Sequence, residues 1–112
     1  MIKEDIIHHR DSEPFENIKK GLKKMEIRLF DEKRQKIKIG DIIKTINRKN
    51  SSEVLFTKVI GLSRFPSFEE LFEVFGEQIK PYEKELLEKV YLKEKEEKYG
   101  ILVIHFELIK FK

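Results

Sequence analysis

The run Lys23-Lys24-Met25-Glu26-Ile27-Arg28 gathers side chains that could act on a ligand. On an extended strand, side chains alternate, so Lys24, Glu26 and Arg28 project to one side about 6.8 Å apart. Met25 and Ile27 point the other way, toward an apolar layer. Such a polar floor has definite chemistry. Arg suits a phosphate or a base edge, Glu can accept a hydrogen bond or act as a general base, and Lys supplies a point charge. The same spacing also describes a surface ladder of ion pairs, worth little in stability. Spacing alone does not separate the two.

Other chemistries find less support. The histidines are His8, His9 and His105, and neighbours on a strand face opposite ways, so His8 and His9 are poorly placed to chelate one ion. No metal or cofactor is expected. The five glycines stand singly at turns, so no glycine-rich phosphate loop is present. Ser63 or Ser67 with His105 could be assembled into a triad, but no G-x-S-x-G context accompanies them. Without cysteine there is neither a disulfide nor a thiolate nucleophile.

Helices and strands must position the polar run. At 112 residues the chain suits a single domain, 1–112. Ile2 to His8 reads as a strand. Asp11 or Ser12 caps a short helix that has Pro14 in its first turn, Phe15 and Ile18 on one face, and Gly21 at its end. Met25 to Phe30 alternates as a half-buried strand, and Ile42 to Asn47 and Val54 to Leu62 follow as two more, with a turn at Lys49 to Ser52. The spacing Ser67-x-x-Glu70 is a capping box opening a helix with Phe68, Leu71, Phe72 and Phe75 on one face, closed by Gly76. A further helix is expected from Pro81 through Val90, with the charged run Lys93 to Lys98 on its exposed end. After Tyr99-Gly100, Ile101 to Phe111 is apolar on both faces at its start, the mark of a central strand. Four or more strands with helices inserted between them make an α+β fold built on a small, closed, mixed β-barrel.

Charge is unevenly distributed. Asn17 to Asn50 holds 12 basic and 4 acidic residues, whereas Phe65 to Lys112 holds 8 basic and 11 acidic. The first stretch has the footprint of a surface that meets phosphates, although a charge-rich protein can also carry such a stretch as a plain solvated face. High Lys and Glu with no Cys or Trp fits a heat-adapted protein, or an AT-rich genome. No run approaches the roughly 18 apolar residues of a membrane helix, and Met1 to Arg10 lacks a signal-peptide core. A cytoplasmic protein is expected.

The order of motifs resembles a known family. "EPFENIKKGLKKMEIRLFDEKRQKIKIGD" (Glu13 to Asp41) is similar to the ASCH family of the PUA-like superfamily, whose signature is Gly-x-Lys-x-x-Glu-x-Arg followed by Lys-x-Gly-Asp. Here these are Gly21, Lys23, Glu26 and Arg28, then Lys38, Gly40 and Asp41. The resemblance continues in "FPSFEELF" (Phe65 to Phe72) and "KEKEEKYGILVIHFELI" (Lys93 to Ile109). It implies a PUA-like barrel with a cleft that takes RNA or a nucleotide, lined by Lys23, Glu26 and Arg28, with Ser67 and Phe68 at the rim. It places Lys23 in the cleft, whereas alternation places Lys24 there; the two agree only if the strand begins after Lys23.

Many relatives carry Thr where this chain has Lys24. One branch resembling the family hydrolyses acetylated cytidine with a Lys, a Thr and a Glu, and Glu26 stands at the Thr position. The helical segment after Gly76 also looks shorter than in similar bacterial proteins, which would reshape the mouth of the cleft.

Three readings follow. In the first, single-stranded RNA or a nucleotide binds through Lys23, Lys24, Glu26, Arg28, Lys38, Ser67 and Phe68. In the second, a small hydrolase acts on a modified nucleoside such as acetylated cytidine, with Glu26 as base on a water and Lys23 stabilising the oxyanion. In the third, the Phe68-Leu71-Phe72-Phe75 face docks a protein, although such spacing more often marks a core.

Overall fold

The computed structural model describes residues 2–10, 12–79, 87, 91 and 93–110, with side chains from residue 7 onward. Five strands alternate with helices: β1 (Ile2–Arg10), α1 (Ser12–Lys19), β2 (Met25–Leu29), β3 (Ile42–Asn47), β4 (Val54–Phe65), α2 (Phe68–Phe75), α3 (Lys93–Tyr99) and β5 (Ile101–Leu108). The sheet order is β1-β3-β4-β5-β2. β1 runs parallel to β3, and β3 antiparallel to β4. Backbone bonds from Phe106 N to Lys24 O and from Phe30 N to Gly100 O run β2 antiparallel to β5. This is a mixed α+β, barrel-like sheet, with β5 inside it as its apolar start requires.

The chain forms two compact units. The first comprises Met1–Glu26, Ile37–Leu62 and Ile104–Lys112; the second comprises Ile27–Lys36 and Ser63–Val103. In the first unit, Phe15 and Ile18 of α1 are buried with Ile43, Val59, Ile104 and Phe106 of the sheet. α1 starts where Ser12 Oγ donates to Asn47 Oδ1 at 3.2 Å, tying the helix to the end of β3. In the second unit Leu71 of α2 is buried with Ile101, Leu102 and Val103.

Two expectations change, and a third lies outside the described residues. β4 continues three residues past Leu62 to Phe65, because strand pairing overrides the polar look of Ser63-Arg64. Lys93–Tyr99 is a helix of its own rather than the tail of another, and its Glu96 is buried. Most of the helix expected from Pro81 through Val90 lies outside the described residues, as do Asp11 and Phe111.

Gly100 shows how tightly one turn is made. Its φ is +72°, and a Cβ there would sit 3.0 Å from the Phe65 carbonyl oxygen. Gly40 also has positive φ but has open space around it. Gly100→Ala should therefore destabilise by more than the roughly 1–2 kcal/mol of left-handed strain, and Gly40→Ala by about that strain alone. Urea melts of both variants check the order; equal losses would contradict it.

Candidate functional site

The first turn of the polar run is set by the end of α1. Gly21, at φ +76°, donates its N–H to Ile18 O at 3.0 Å, and Leu22 N reaches Asn17 O at 2.8 Å. This pair of bonds is a Schellman motif, which satisfies the last carbonyls of the helix and turns the chain back. Lys23 N also bonds Asn17 O, at 3.1 Å. Leu22, at the position that commonly packs against such a helix, is instead 75% exposed.

Past the turn, Lys23 and Lys24 both line a cavity of about 220 Å³ in the first unit, walled by Ile18, Gly21, Ile60, Phe106, Glu107 and Leu108. β2 begins only at Met25, so alternation does not choose between the two lysines. Both border the same space.

Glu26 and Arg28 take a different role. They do share one face of β2, but both are buried, so they form no surface ladder. Glu26 is held by Arg10, the last residue of β1: Arg10 Nε donates to Oε1 at 3.1 Å and Nη2 donates to Oε2. This bidentate pair links the two outer strands of the sheet order. Arg28 Nη1 donates to its own Ile27 carbonyl at 2.6 Å. Neither side chain is among the lining residues of the lysine cavity.

The Lys38-x-Gly40-Asp41 step is a turn. Asp41 is buried and accepts from Lys38 N at 2.8 Å, while Gly40 N bonds Val59 O and Val59 N bonds Asp41 O, each at 2.8 Å. Locking the turn to β4 leaves Lys38 and Ile39 outside, with Ile39 68% exposed. Ile60, next to Val59 and on the cavity wall, is 51% exposed.

In the second unit Ser67 is the N-cap of α2, its Oγ accepting from Glu70 N at 3.2 Å. Phe68 N donates to Glu96 Oε1 at 2.7 Å, a second acceptor for the helix start. Phe68 and Leu71 are buried, and Phe75 packs edge-on against Phe65. Phe68 and Leu71 of this spacing therefore belong to the core.

His8 is buried and His9 exposed, as alternation requires. His105 packs beside Gly61, and partial burial lowers its pKa below the usual histidine value. Among the described residues, no group of three or more His, Asp or Glu could hold a metal ion, and no helix is long and apolar enough to cross a membrane.

Sequence reasoning missed Arg10, the walls supplied by Ile60 and Phe106, and Glu96. None carries a local signal, since each matters through a neighbour distant in sequence.

The comparisons with known proteins agree with this architecture. A family model described as ASCH domain matches residues 9–110. The chain is similar to the crystal structure of hypothetical protein PH0355, from Pyrococcus, with 36% identity and a TM-score of 0.75 over 92% of this chain and 97% of that one. It is likewise similar to the solution structure of Protein PF0455 from Pyrococcus furiosus, with 33% identity and a TM-score of 0.74 over 99% of this chain and all of that one. No curated protein matches the chain.

Proposed function

The chain belongs to the ASCH family, and on that premise we propose that it is a cytoplasmic module binding single-stranded RNA or a nucleotide. The observation that carries this reading is the lysine cavity. Lys23 and Lys24 border a small space whose other walls are largely apolar, and Leu22 and Ile60 stand exposed at or beside it. Ammonium groups next to exposed apolar side chains suit a chain of phosphates carrying unstacked bases. Lys38 and Ile39 repeat the combination at the neighbouring turn. At about 220 Å³ the cavity is smaller than the roughly 300–1,000 Å³ typical of sites that enclose a whole ligand. It suits one element of an extended strand, with the rest lying on the basic surface.

Glu26 supports binding over turnover. Arg10 engages both of its oxygens, which makes it a cross-link between strands rather than a base ready to take a proton from water. Arg28 is buried and does not line the cavity, so this reading leaves phosphate contact to the lysines.

Amide shift mapping with an unstructured oligoribonucleotide at low salt tests the assignment. Shifts are expected to concentrate at Leu22 to Lys24, Ile39, Ile60 and Glu107. Saturable binding that leaves these residues unperturbed would overturn the site, and no binding would overturn the function.

A further inference from the structure

The acidic half of the chain contains a second cavity, which shares no lining residue with the lysine cavity. It lies in the second unit, encloses about 410 Å³ and is lined by Phe68, Glu69, Phe72, Tyr91, Lys93 and Glu96. That volume falls within the usual range for sites enclosing a ligand, roughly 300–1,000 Å³. Its floor is aromatic: Phe68 stacks with Phe72 at 6.0 Å and with Tyr91 at 5.9 Å, both pairs inclined by 24°.

Glu96 supplies the polar feature. It is only 7% exposed, and Oε1 accepts from Phe68 N. Among the described residues Oε2 accepts no hydrogen bond, while the side chain borders the cavity. A carboxylate so far withdrawn from water gains most from a partner that brings both N–H donors and positive charge. Among the described residues the lining holds two carboxylates and one ammonium, which disfavours phosphate and favours a cation. Rings of this unit already take cations, with Arg64 Cζ 3.8 Å from the Phe30 centroid and Lys98 Nζ 5.0 Å from that of Tyr99.

We infer that this cavity binds a guanidinium group, which hydrogen-bonds Glu96 Oε2 and lies flat on the Phe68, Phe72 and Tyr91 rings. A guanidinium is planar, weakly hydrated and rich in N–H donors, so it can stack and pair at once; an ammonium can only pair. The group can come from a small molecule or from an arginine side chain of a peptide.

Amide shift titrations of the full chain with methylguanidinium, methylammonium, an arginine-containing tetrapeptide and adenosine test this. Methylguanidinium is expected to shift Phe68, Phe72, Tyr91 and Glu96 saturably and to bind more tightly than methylammonium. A tighter tetrapeptide points to an arginine side chain as the natural source, and an equal one to a small molecule. Both support the site. Glu96→Gln keeps an acceptor for Phe68 N but loses the charge, and should weaken methylguanidinium by about tenfold. Tyr91→Leu, which leaves the α2 cap untouched, should weaken it as well. The inference is overturned if methylguanidinium gives no saturable shift, or binds Tyr91→Leu as it binds wild type. Adenosine occupying the same residues with an affinity that Glu96→Gln leaves unchanged would also overturn it.

Discussion

Arg10→Ala is expected to lower the unfolding free energy by about 3 kcal/mol, more than Glu26→Ala does. The asymmetry follows from burial. Side-chain exposure is 16% for Arg10 and 7% for Glu26. Removing the guanidinium takes a bidentate cationic partner from a carboxylate withdrawn from water, whereas removing the carboxylate leaves a longer, more exposed cation that can turn outward. Breaking a buried pair from one side typically costs about 3–5 kcal/mol, and the residual exposure of Arg10 places this one at the low end. Replacing both residues by apolar ones of similar shape, Arg10→Met with Glu26→Leu, should recover most of the loss. Urea midpoints of the three variants decide the matter. If Arg10→Ala melts like wild type, the pair does not hold β1 to β2.

Local signals carried most of the fold. Phe15 and Ile18 with Gly21 delimit α1, Ser67 with Glu70 delimits the start of α2, and the apolar start of β5 marks an inner strand; each is a short-range pattern that packing then uses. Burial of charge was the part sequence could not convey. Glu26 is 16 residues from Arg10 along the chain, so nothing nearby distinguishes a buried cross-link from a surface ladder. Glu96 sits in Lys93-Glu94-Lys95-Glu96-Glu97-Lys98, which reads as a solvated run. It is buried because the first amide of α2, 28 residues earlier, lacks an acceptor within its own helix. The candidate site was half legible: its lysines were visible, whereas its walls on β4 and β5 assemble only on folding.

The largest functional effect is expected from Lys23→Glu combined with Lys24→Glu. Each substitution removes a cation beside the cavity and puts a repulsive charge where a phosphate would lie. Like charges brought together at an interface cost several kcal/mol, so affinity for single-stranded RNA should fall on the order of 100-fold at low salt. Both residues lie outside regular strand and helix, so the melting midpoint should stay near wild type. Lys98→Glu changes charge in the second unit, next to Tyr99, and serves as the control. It should bind RNA like wild type. Equal losses in the control and the double variant would mean that net charge, not the cavity, governs binding.

The most direct test is the salt dependence of single-stranded RNA binding by the wild-type chain. Each phosphate neutralised on a single strand contributes about −0.7 to the slope of log affinity against log salt. With one phosphate each at Lys23, Lys24 and Lys38, the expected slope is about −2, falling by more than half in the Lys23, Lys24 double variant. Absence of binding at low salt, or a slope that the double variant leaves unchanged, would contradict an RNA site at the end of α1.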